Sequence, residues 1–272
     1  MRTVETGTDQ LTLSVADHVA TITLNRPEKR NAMAPDMLDG LAYALSVTAD
    51  DPDVRVVVLT GAGPAFCAGG DVSTMGAKLS GADAPPQDQL VRGLQARQEG
   101  GTLAIFEHPK PTIAALPGAA AGAGMGVALA CDLRVGTPKA CFVPAFGAIG
   151  LSGDWGGTWL MQRLIGPARA KEAYFTGERI YAEDGLSLGL FNRVFDEEGF
   201  ADAVQSYAAG IATGAPLALQ KMKENHNRAL TTDLRTFMKS EAQNMVAMMM
   251  TEDHQAAAAA FMEKQKPVFK GR

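Results

Sequence analysis

Residues 54–72 read VRVVVLTGAGPAFCAGGDV, and this stretch decides the fold class. It begins, over residues 54–60, with a near-continuous run of β-branched and apolar side chains, which is typical of a strand buried on both faces. The remainder is rich in glycine and alanine, so it predicts a sharp turn where that strand ends. Strands buried on both faces belong to parallel sheets covered by helices, and the stretch therefore indicates an α/β fold.

The alternation of strand, turn and helix continues on both sides of this stretch. Residues 11–25 contain two runs with an apolar residue at every second position, which predicts a β-hairpin. Further short strands and helices are indicated by apolar runs and by the helical spacing of apolar residues. The predicted strands are 112–116 and 133–135, and the predicted helices are 31–47, 90–106, 157–164 and 167–175.

From residue 199 onward the chain shows one helical pattern after another, the last over residues 251–266. No Pro- or Ser-rich linker precedes this part, so we expect it to pack on the α/β core or on a neighbouring subunit. We therefore divide the chain into an α/β core, 1–197, and a C-terminal helical subdomain, 198–272. The methionine-rich residues 245–250 suit a core or a subunit interface, because Met side chains fill irregular gaps.

Charge and composition exclude several classes of function. The 272 residues carry 25 Lys and Arg against 30 Asp and Glu, a net charge of −5. No general basic surface is therefore expected, and nucleic acid is excluded as a partner. The three cysteines show neither CxxC spacing nor a matching His cluster, which favours a reduced, cytoplasmic protein without a metal site. The start, MRTVETGTDQ, lacks the apolar segment of a secretory signal.

One uncharged segment, residues 111–131, is long enough to be weighed as a membrane span. It consists mostly of Ala and Gly and contains a Pro, so it has few of the Leu, Ile and Phe residues that favour insertion. We therefore expect no interaction with a membrane.

Two glycine-rich segments, 59–72 and 116–133, each follow a predicted strand. Small residues let the backbone approach a ligand closely, and a helix that begins there offers free N–H groups to an oxygen carrying negative charge. Two such segments predict a pair of N–H donors. The alternative is that both are tight turns that let helix and sheet pack closely. The second segment lacks the third glycine of a dinucleotide-binding G-x-G-x-x-G pattern.

Five blocks of the sequence carry a resemblance to a known family. They read TITLNRPEKRNAM (21–33), VVVLTGAGPAFCAGGDV (56–72), PTIAALPGAAAGAGMGVALACDLRV (111–135), IGLSGDWGGTWLMQRLIG (149–166) and AAFMEKQKPVF (259–269). In this order the blocks resemble the crotonase superfamily, the enoyl-CoA hydratase/isomerase family. The resemblance implies a crotonase-like spiral of repeated ββα units with a C-terminal helical trimerisation subdomain. It further implies a homotrimer or hexamer that acts on acyl-CoA thioesters without a metal or redox cofactor.

The resemblance also implies binding residues. The backbone N–H groups of Gly70 and Ala123 match the two donors that hold the thioester oxygen, an oxyanion hole. Ala68 and Asp71 match substrate-binding positions beside the first donor, although Asp71 alternatively caps a helix. The CoA moiety is expected to contact Lys29 and Arg30, and also the C-terminal pair Phe261 and Lys264, which in the family reaches the CoA of an adjacent subunit. Phe261 is expected to be buried in either case.

The sequence departs from the family's hydratases at both of their glutamates. The matching positions hold Gly126 and Phe146, neither of which transfers a proton. Asp154, in SGDWGGTW, matches an aspartate that isomerases of the phenylacetate-pathway type use, and the nucleophilic aspartate of aryl-CoA dehalogenases. The simpler alternative is that Asp154 caps the helix that begins near Gly156. An apolar pocket formed with Phe146 and Trp155 would raise its pKa, whereas a helix N-terminus would lower it.

Three hypotheses for the function follow. The first is an enoyl-CoA isomerase that shifts a double bond through a dienolate, with Asp154 as base and acid. The second is an enoyl-CoA hydratase that uses one carboxylate and a water molecule. The third is an acyl-CoA binding protein without catalytic activity. The fold does not decide among them, because function depends on the site.

Overall fold

The computed structural model describes residues 1–71 and 85–272. The strands form a larger sheet in the order β1-β2-β3-β4-β5-β7-β10 and a smaller one in the order β6-β8-β9. Their bounds are β1 (Arg2–Val4), β2 (Leu11–Ala16), β3 (Val19–Leu24), β4 (Val56–Gly61), β5 (Thr112–Leu116), β6 (Ala119–Ala121), β7 (Leu133–Gly136), β8 (Cys141–Val143), β9 (Ile180–Tyr181) and β10 (Arg193–Val194). The predicted hairpin is the antiparallel pair β2–β3, and β3, β4, β5, β7 and β10 run parallel.

The helices follow the predicted order. They are α1 (Pro35–Asp50), α2 (Gln87–Gln98), α3 (Ala123–Ala130), α4 (Gly157–Ile165), α5 (Pro167–Thr176), α6 (Ala182–Leu188), α7 (Phe200–Ala212), α8 (Pro216–Ala229), α9 (Leu234–Met249) and α10 (Glu252–Met262). Helix α2 continues through a π-helical turn, Glu99–Leu103, into a last turn, Ala104–Phe106. The helix predicted from residue 31 begins only at Pro35. Asn31 has a left-handed backbone (φ 57°), and proline fits the first helical turn because it needs no N–H acceptor.

Strand β4 is buried on both faces, as its sequence predicts. Successive side chains of a strand point to opposite faces, and Val57 and Leu59 join the core that includes α1 and α3. Val56 and Val58 join a second core on the opposite face, which α7 covers with Val204, Ala208 and Ala212. The sheet therefore lies between two helical layers. Helix α7 follows the predicted domain boundary at residue 197 and yet packs on the sheet of the core. The boundary stays a prediction from the chain pattern.

The glycine-rich segments that follow β4 and β5 lie against each other. Cys67 and Ala120 form a parallel bridge, and the Ala121 N–H donates to the Cys67 carbonyl oxygen at 2.9 Å. A Cβ on Gly124 would lie 2.6 Å from Cys67 Cβ, a separation that excludes any side chain at residue 124. Close packing of the two segments against each other therefore explains part of their glycine content. This is the alternative that the sequence analysis named beside a pair of N–H donors.

The helices after α7 end in an exposed apolar surface. Met245, Val246, Met249 and Met250 are 62, 56, 51 and 78% exposed, so these residues do not form the core of this chain. Their expected role at a subunit interface stays a prediction. Among the described helices, none has both the length and the apolar character needed to cross a membrane.

A buried ion pair fastens α8 to the edge of the sheet. Lys223 Nζ lies 2.8 Å from Asp132 Oδ2, and the lysine side chain is 7% exposed. Lys223 Nζ also donates to the carbonyl oxygens of Ile105 (3.4 Å) and Lys110 (3.3 Å). The same helix carries an exposed pair, Lys221 with Glu224, at 2.6 Å.

Replacing Lys223 should therefore destabilise the fold, whereas replacing Lys221 should not. Lys223→Ala leaves Asp132 without its cation, and we expect a loss of about 3 kcal/mol in the free energy of unfolding. Lys221→Ala removes only an exposed pair and should change it by less than about 0.5 kcal/mol. Urea unfolding of both variants measures the difference. Equal effects would contradict the anchoring role of Lys223.

Candidate active site

The two predicted N–H donors lie on neighbouring loops. Gly70 is held by a bridge to Met33, in which Met33 N–H donates to the Gly69 carbonyl oxygen at 2.8 Å and Asp71 N–H donates to the Met33 carbonyl oxygen at 3.3 Å. Ala123 is the first residue of α3. A Cβ on Gly69 would lie 3.5 Å from Ala123 N, so the two loops touch. Neither N–H group, of Gly70 or of Ala123, donates to another part of the described chain.

Free donors on touching loops are what an oxyanion hole requires. The N–H of Ala123 is free because the first N–H groups of a helix have no partner within it. The N–H of Gly70 points away from the bridge that its neighbours make with Met33. The arrangement therefore suits a ligand oxygen that carries negative charge, and the role itself stays a prediction.

Asp154 lies in the turn that precedes α4, and its side chain does not cap this helix. The N-cap is Gly156, which has no side-chain cap, and the turn is closed by the Gly157 N–H donating to the Asp154 carbonyl oxygen at 3.1 Å. The Oδ1 atom of Asp154 is buried and has no hydrogen-bond partner among the described residues. The alternative of Asp154 as a helix cap is therefore wrong.

Burial raises the pKa of Asp154 above its ordinary value. Within the described part of the chain, the only resolved cause of this shift is the removal of the carboxyl group from water by its surroundings. A carboxylate with a raised pKa and a free oxygen is suited to accept and return a proton.

Trp155 occupies the space next to Gly126, the residue that the resemblance matches to the first glutamate of the hydratases. The backbone of Trp155 is left-handed (φ 52°) and its side chain is 4% exposed. A Cβ on Gly126 would lie 2.7 Å from Trp155 Cβ. The position of Trp155 is fixed further by Thr102 Oγ1, which donates to its carbonyl oxygen at 3.2 Å. Any side chain at residue 126 would therefore require the Asp154–Trp155 turn to move.

The π-helical turn of Glu99–Leu103 accommodates the indole ring of Trp155. A Cβ on Gly101 in this turn would lie 2.5 Å from the indole Cζ3 atom. Glycine is thus required at this point of α2 because the ring packs directly against the backbone. Beside this turn, α2, the turn itself and α4 border an open cavity of about 350 Å³. Its lining includes Thr102, Leu103, Phe106, Gly156, Trp159 and Leu160.

Phe146, at the position of the second hydratase glutamate, stacks on Tyr174 of α5. The ring centroids lie 5.8 Å apart with an interplanar angle of 9°. The hydroxyl oxygen of Tyr174 is buried and, like Asp154 Oδ1, has no hydrogen-bond partner in the described structure. Burial and the negative charge of Asp154 both raise the pKa of Tyr174. Sequence reasoning missed this residue, since a tyrosine in the middle of a helix carries no motif.

The residues expected to hold CoA near the first donor are brought together. The Ala68 N–H donates to the Arg30 carbonyl oxygen at 2.9 Å, and Lys29 and Arg30 have exposed side chains. Asp71 Oδ2 lies 3.4 Å from a guanidinium nitrogen of Arg26, a partner that the sequence analysis did not identify. The alternative for Asp71 is that it caps a helix formed by the residues after it. Residues 72–84 lie outside the described residues, so this alternative stays a prediction.

The C-terminal pair, Phe261 and Lys264, makes no described hydrogen bond or ion pair with these loops. Phe261 is 81% exposed, so the expectation that it is buried is wrong for the single chain, because α10 is the last helix and no later element covers it. Lys264 follows α10 in a left-handed backbone conformation (φ 54°). Within residues 1–71 and 85–272, no hydrogen bond or ion pair links either residue to Lys29, Arg30 or Asp154.

Potential metal ligands are scattered through the described ranges. They contain no group of three or more His, Cys, Asp and Glu side chains that could hold a metal ion. The three cysteines are buried, and burial raises the pKa values of Cys67 and Cys131 to about 12.

Several known proteins match this chain in sequence over nearly their whole length. The family model described as enoyl-CoA hydratase/isomerase matches residues 14–272. The 1,2-epoxyphenylacetyl-CoA isomerase of Escherichia coli is 35% identical over 254 residues, which cover 93% of this chain and 95% of that protein. The (E)-benzylidenesuccinyl-CoA hydratase of Thauera aromatica is 34% identical over 262 residues, 96% of this chain and 99% of that protein.

Solved structures show the same fold. The crystal structure of an enoyl-CoA hydratase from Polaromonas sp. JS666 superposes with a TM-score of 0.89 at 33% identity, and the match covers 95% of this chain and 99% of that chain. The expected crotonase fold, an α/β core followed by a C-terminal helical region, is therefore confirmed. The chain belongs to the enoyl-CoA hydratase/isomerase family, within the crotonase superfamily.

Proposed function

We propose that this protein is an enoyl-CoA isomerase in which Asp154 moves a proton between two carbons of the acyl chain. The observation that carries this proposal is the state of Asp154: its Oδ1 atom is buried without a partner, and burial raises the pKa of the carboxyl. The positions of both hydratase glutamates hold Gly126 and Phe146. A single carboxylate suffices for isomerisation, because the same group can take the proton and return it.

The proposed reaction begins when the thioester oxygen binds to the N–H groups of Gly70 and Ala123. The Asp154 carboxylate then removes a proton from the carbon next to the thioester. The electron pair of that C–H bond forms a new double bond, and negative charge moves to the thioester oxygen, giving a dienolate. Each fixed donor stabilises this charge by about 3 kcal/mol. Protonated Asp154 returns the proton two carbons further along, and the double bond ends next to the thioester.

Substrate binding is assigned to the two sides of Asp154. The cavity of about 350 Å³ between α2 and α4 borders the Asp154 turn at Gly156 and is proposed to take the acyl chain. Lys29, Arg30, Ala68 and Asp71, on the loops beside Gly70, are proposed to bind the CoA moiety. The proposed proton transfer requires no metal or redox cofactor. CoA takes part only as the thioester portion of the substrate. We place the enzyme in the cytoplasm.

A second candidate function is hydration of a 2-enoyl-CoA by a water molecule that Asp154 activates alone. It is favoured by the (E)-benzylidenesuccinyl-CoA hydratase that is 34% identical to this chain. Hydration with Asp154 alone is distinguished from isomerisation by assay, whereas hydration in the family's two-glutamate manner needs a side chain at residue 126. The contact between Gly126 and Trp155 leaves no space for one. A third candidate is acyl-CoA binding without turnover, and an activity assay of the wild type tests it.

Replacing the proposed base should separate catalysis from binding. Asp154→Asn keeps the shape of the side chain but cannot accept a proton, so kcat for a 3-enoyl-CoA should fall about 100-fold or more. The dissociation constant for a saturated acyl-CoA should stay within a few-fold. Asp184→Asn, which changes an exposed aspartate of α6, is the matched control and should leave kcat unchanged.

Assays of the wild type with 2-enoyl and 3-enoyl thioesters decide among the three candidates. Isomerisation should be faster than hydration in the same preparation. The reverse ratio would support the hydratase, and tight binding without any turnover would support the binding protein. Full activity of Asp154→Asn would mean that a different group is the base.

Substitution of Gly126 should be costly even for the smallest side chain. A Cβ at this residue meets the backbone and Cβ of Trp155, so Gly126→Ala should reduce the free energy of unfolding by about 1–3 kcal/mol. Gly210→Ala is the control, because a Cβ on this glycine of α7 meets nothing within 4 Å, and it should gain about 0.5–1 kcal/mol. Thermal unfolding of both variants tests this, and a neutral Gly126→Ala would contradict the steric account.

The exposed C-terminal surface predicts assembly into a homotrimer or a hexamer. Light scattering at assay concentration should give three or six times the chain mass of 28.6 kDa. Phe261→Ala and Lys264→Ala should each weaken acyl-CoA binding several-fold, because the pair is proposed to complete the CoA site of an adjacent subunit. A fully active monomer would contradict this prediction.

A further inference from the structure

Tyr174 lies across the turn that carries Asp154. A Cβ on Gly157, which follows Asp154 by three residues, would lie 2.5 Å from the Tyr174 hydroxyl oxygen. A Cβ on Gly153, which precedes Asp154, would lie 3.0 Å from Tyr174 Cε1. The ring thus touches the turn on both sides of Asp154. Stacking on Phe146 fixes the plane of the ring.

The two polar groups at this point lack partners. Asp154 Oδ1 and Tyr174 Oη are two of the three buried side-chain oxygen or nitrogen atoms without a hydrogen bond in the described structure. Leaving a buried polar atom unpaired destabilises a protein, and the penalty is largest where water is excluded. Both atoms are already shielded from solvent in the described structure, so an acyl-CoA bound beside the Asp154 turn would leave water no access to them. Each would then have the other as its available partner.

We infer that Tyr174 is a positioning residue for Asp154: its hydroxyl donates a hydrogen bond to Asp154 Oδ1 in the acyl-CoA complex and leaves Oδ2 to accept the substrate proton. The inference rests on the proposed role of Asp154 and adds a residue to it. The phenol remains a donor over the working pH range, because burial and the charge of Asp154 both raise its pKa. The stacked Phe146 ring holds Tyr174 in place without competing for this bond.

Among residues 1–71 and 85–272, burial is the only resolved cause of the Asp154 pKa shift, and few other charged groups face its side chain. Helix α3 presents only apolar residues and glycine. From α2, Glu99 borders the cavity next to Gly156, and the hydroxyl of Thr102 is already bonded to Trp155. Tyr174 is the titratable group of α5 whose electrostatic interaction with Asp154 is resolved. Loss of the Tyr174 hydroxyl should therefore act mainly on the protonation of Asp154.

The test is Tyr174→Phe, which keeps the stacked ring and removes only the hydroxyl. A hydrogen bond to the carboxylate lowers its pKa, so removing the donor should raise the acidic limb of the pH profile of kcat/KM by about one pH unit. We expect kcat to fall about 10-fold, with acyl-CoA affinity and melting temperature nearly unchanged. Tyr181→Phe, which changes the exposed tyrosine of β9, is the matched control and should alter none of these.

Two further measurements separate this inference from the proposed function. In the Asp154→Asn background, Tyr174→Phe should cause no additional loss of activity, because the tyrosine acts through Asp154. The pKa of Asp154 can also be followed without turnover, by NMR of ¹³C-labelled carboxyl groups in the complex with butyryl-CoA. There Tyr174→Phe should raise it by a similar amount, even if the enzyme proves to be a hydratase or to be inactive.

An unchanged carboxyl pKa in the butyryl-CoA complex would overturn the inference. A lowered melting temperature without a shift of the acidic limb would also overturn it, since that result means that the hydroxyl has a structural role only. A raised carboxyl pKa in a protein without isomerase activity would support the contact and contradict the proposed function alone.

Discussion

The close approach of the two glycine-rich loops is the constraint on which the rest of the site depends. The Ala121 N–H donates to the Cys67 carbonyl oxygen at 2.9 Å, and a Cβ on Gly124 would lie only 2.6 Å from Cys67 Cβ. This contact places the N–H of Ala123 beside the loop of Gly70. Glycine is needed here for its missing side chain, because two backbones meet where any Cβ would hold them apart.

Glycines also make room for an aromatic side chain in the part of the site that carries Asp154. Gly126 of α3 and Gly101 of α2 leave room for Trp155, whose ring and backbone fill the space between these helices. Trp155 in turn fixes the turn that carries Asp154. In this family member the volume that a glutamate side chain would occupy at residue 126 thus belongs to an aromatic residue. In the proposed function, this leaves Asp154 as the one carboxylate that takes part in the chemistry.

Holding a carboxylate in such a pocket lowers the stability of the fold at neutral pH. Burial raises the pKa of Asp154 in the folded state above its ordinary value, so the folded chain binds the proton more tightly than the unfolded chain does. Stability from this group is therefore lost as the pH rises from the ordinary carboxyl pKa through the raised one. Such a loss of stability is expected if Asp154 is the proposed base, because functional sites commonly give up stability for reactivity.

The amino-acid sequence alone determined the α/β class, the hairpin, the buried strand β4 and the order of the helices, because local apolar periods report which faces are buried. The motifs also identified the family, and they singled out Gly70, Ala123 and Asp154 as candidate site residues, whose roles stay predictions. Three features emerged only from the tertiary structure: the free side chain of Asp154, the contact of Trp155 with Gly126, and the stacking of Tyr174 on Phe146. The last two join residues 29 and 28 positions apart in the sequence, and no local pattern records which distant side chains compete for the same volume or exclude water from a carboxylate.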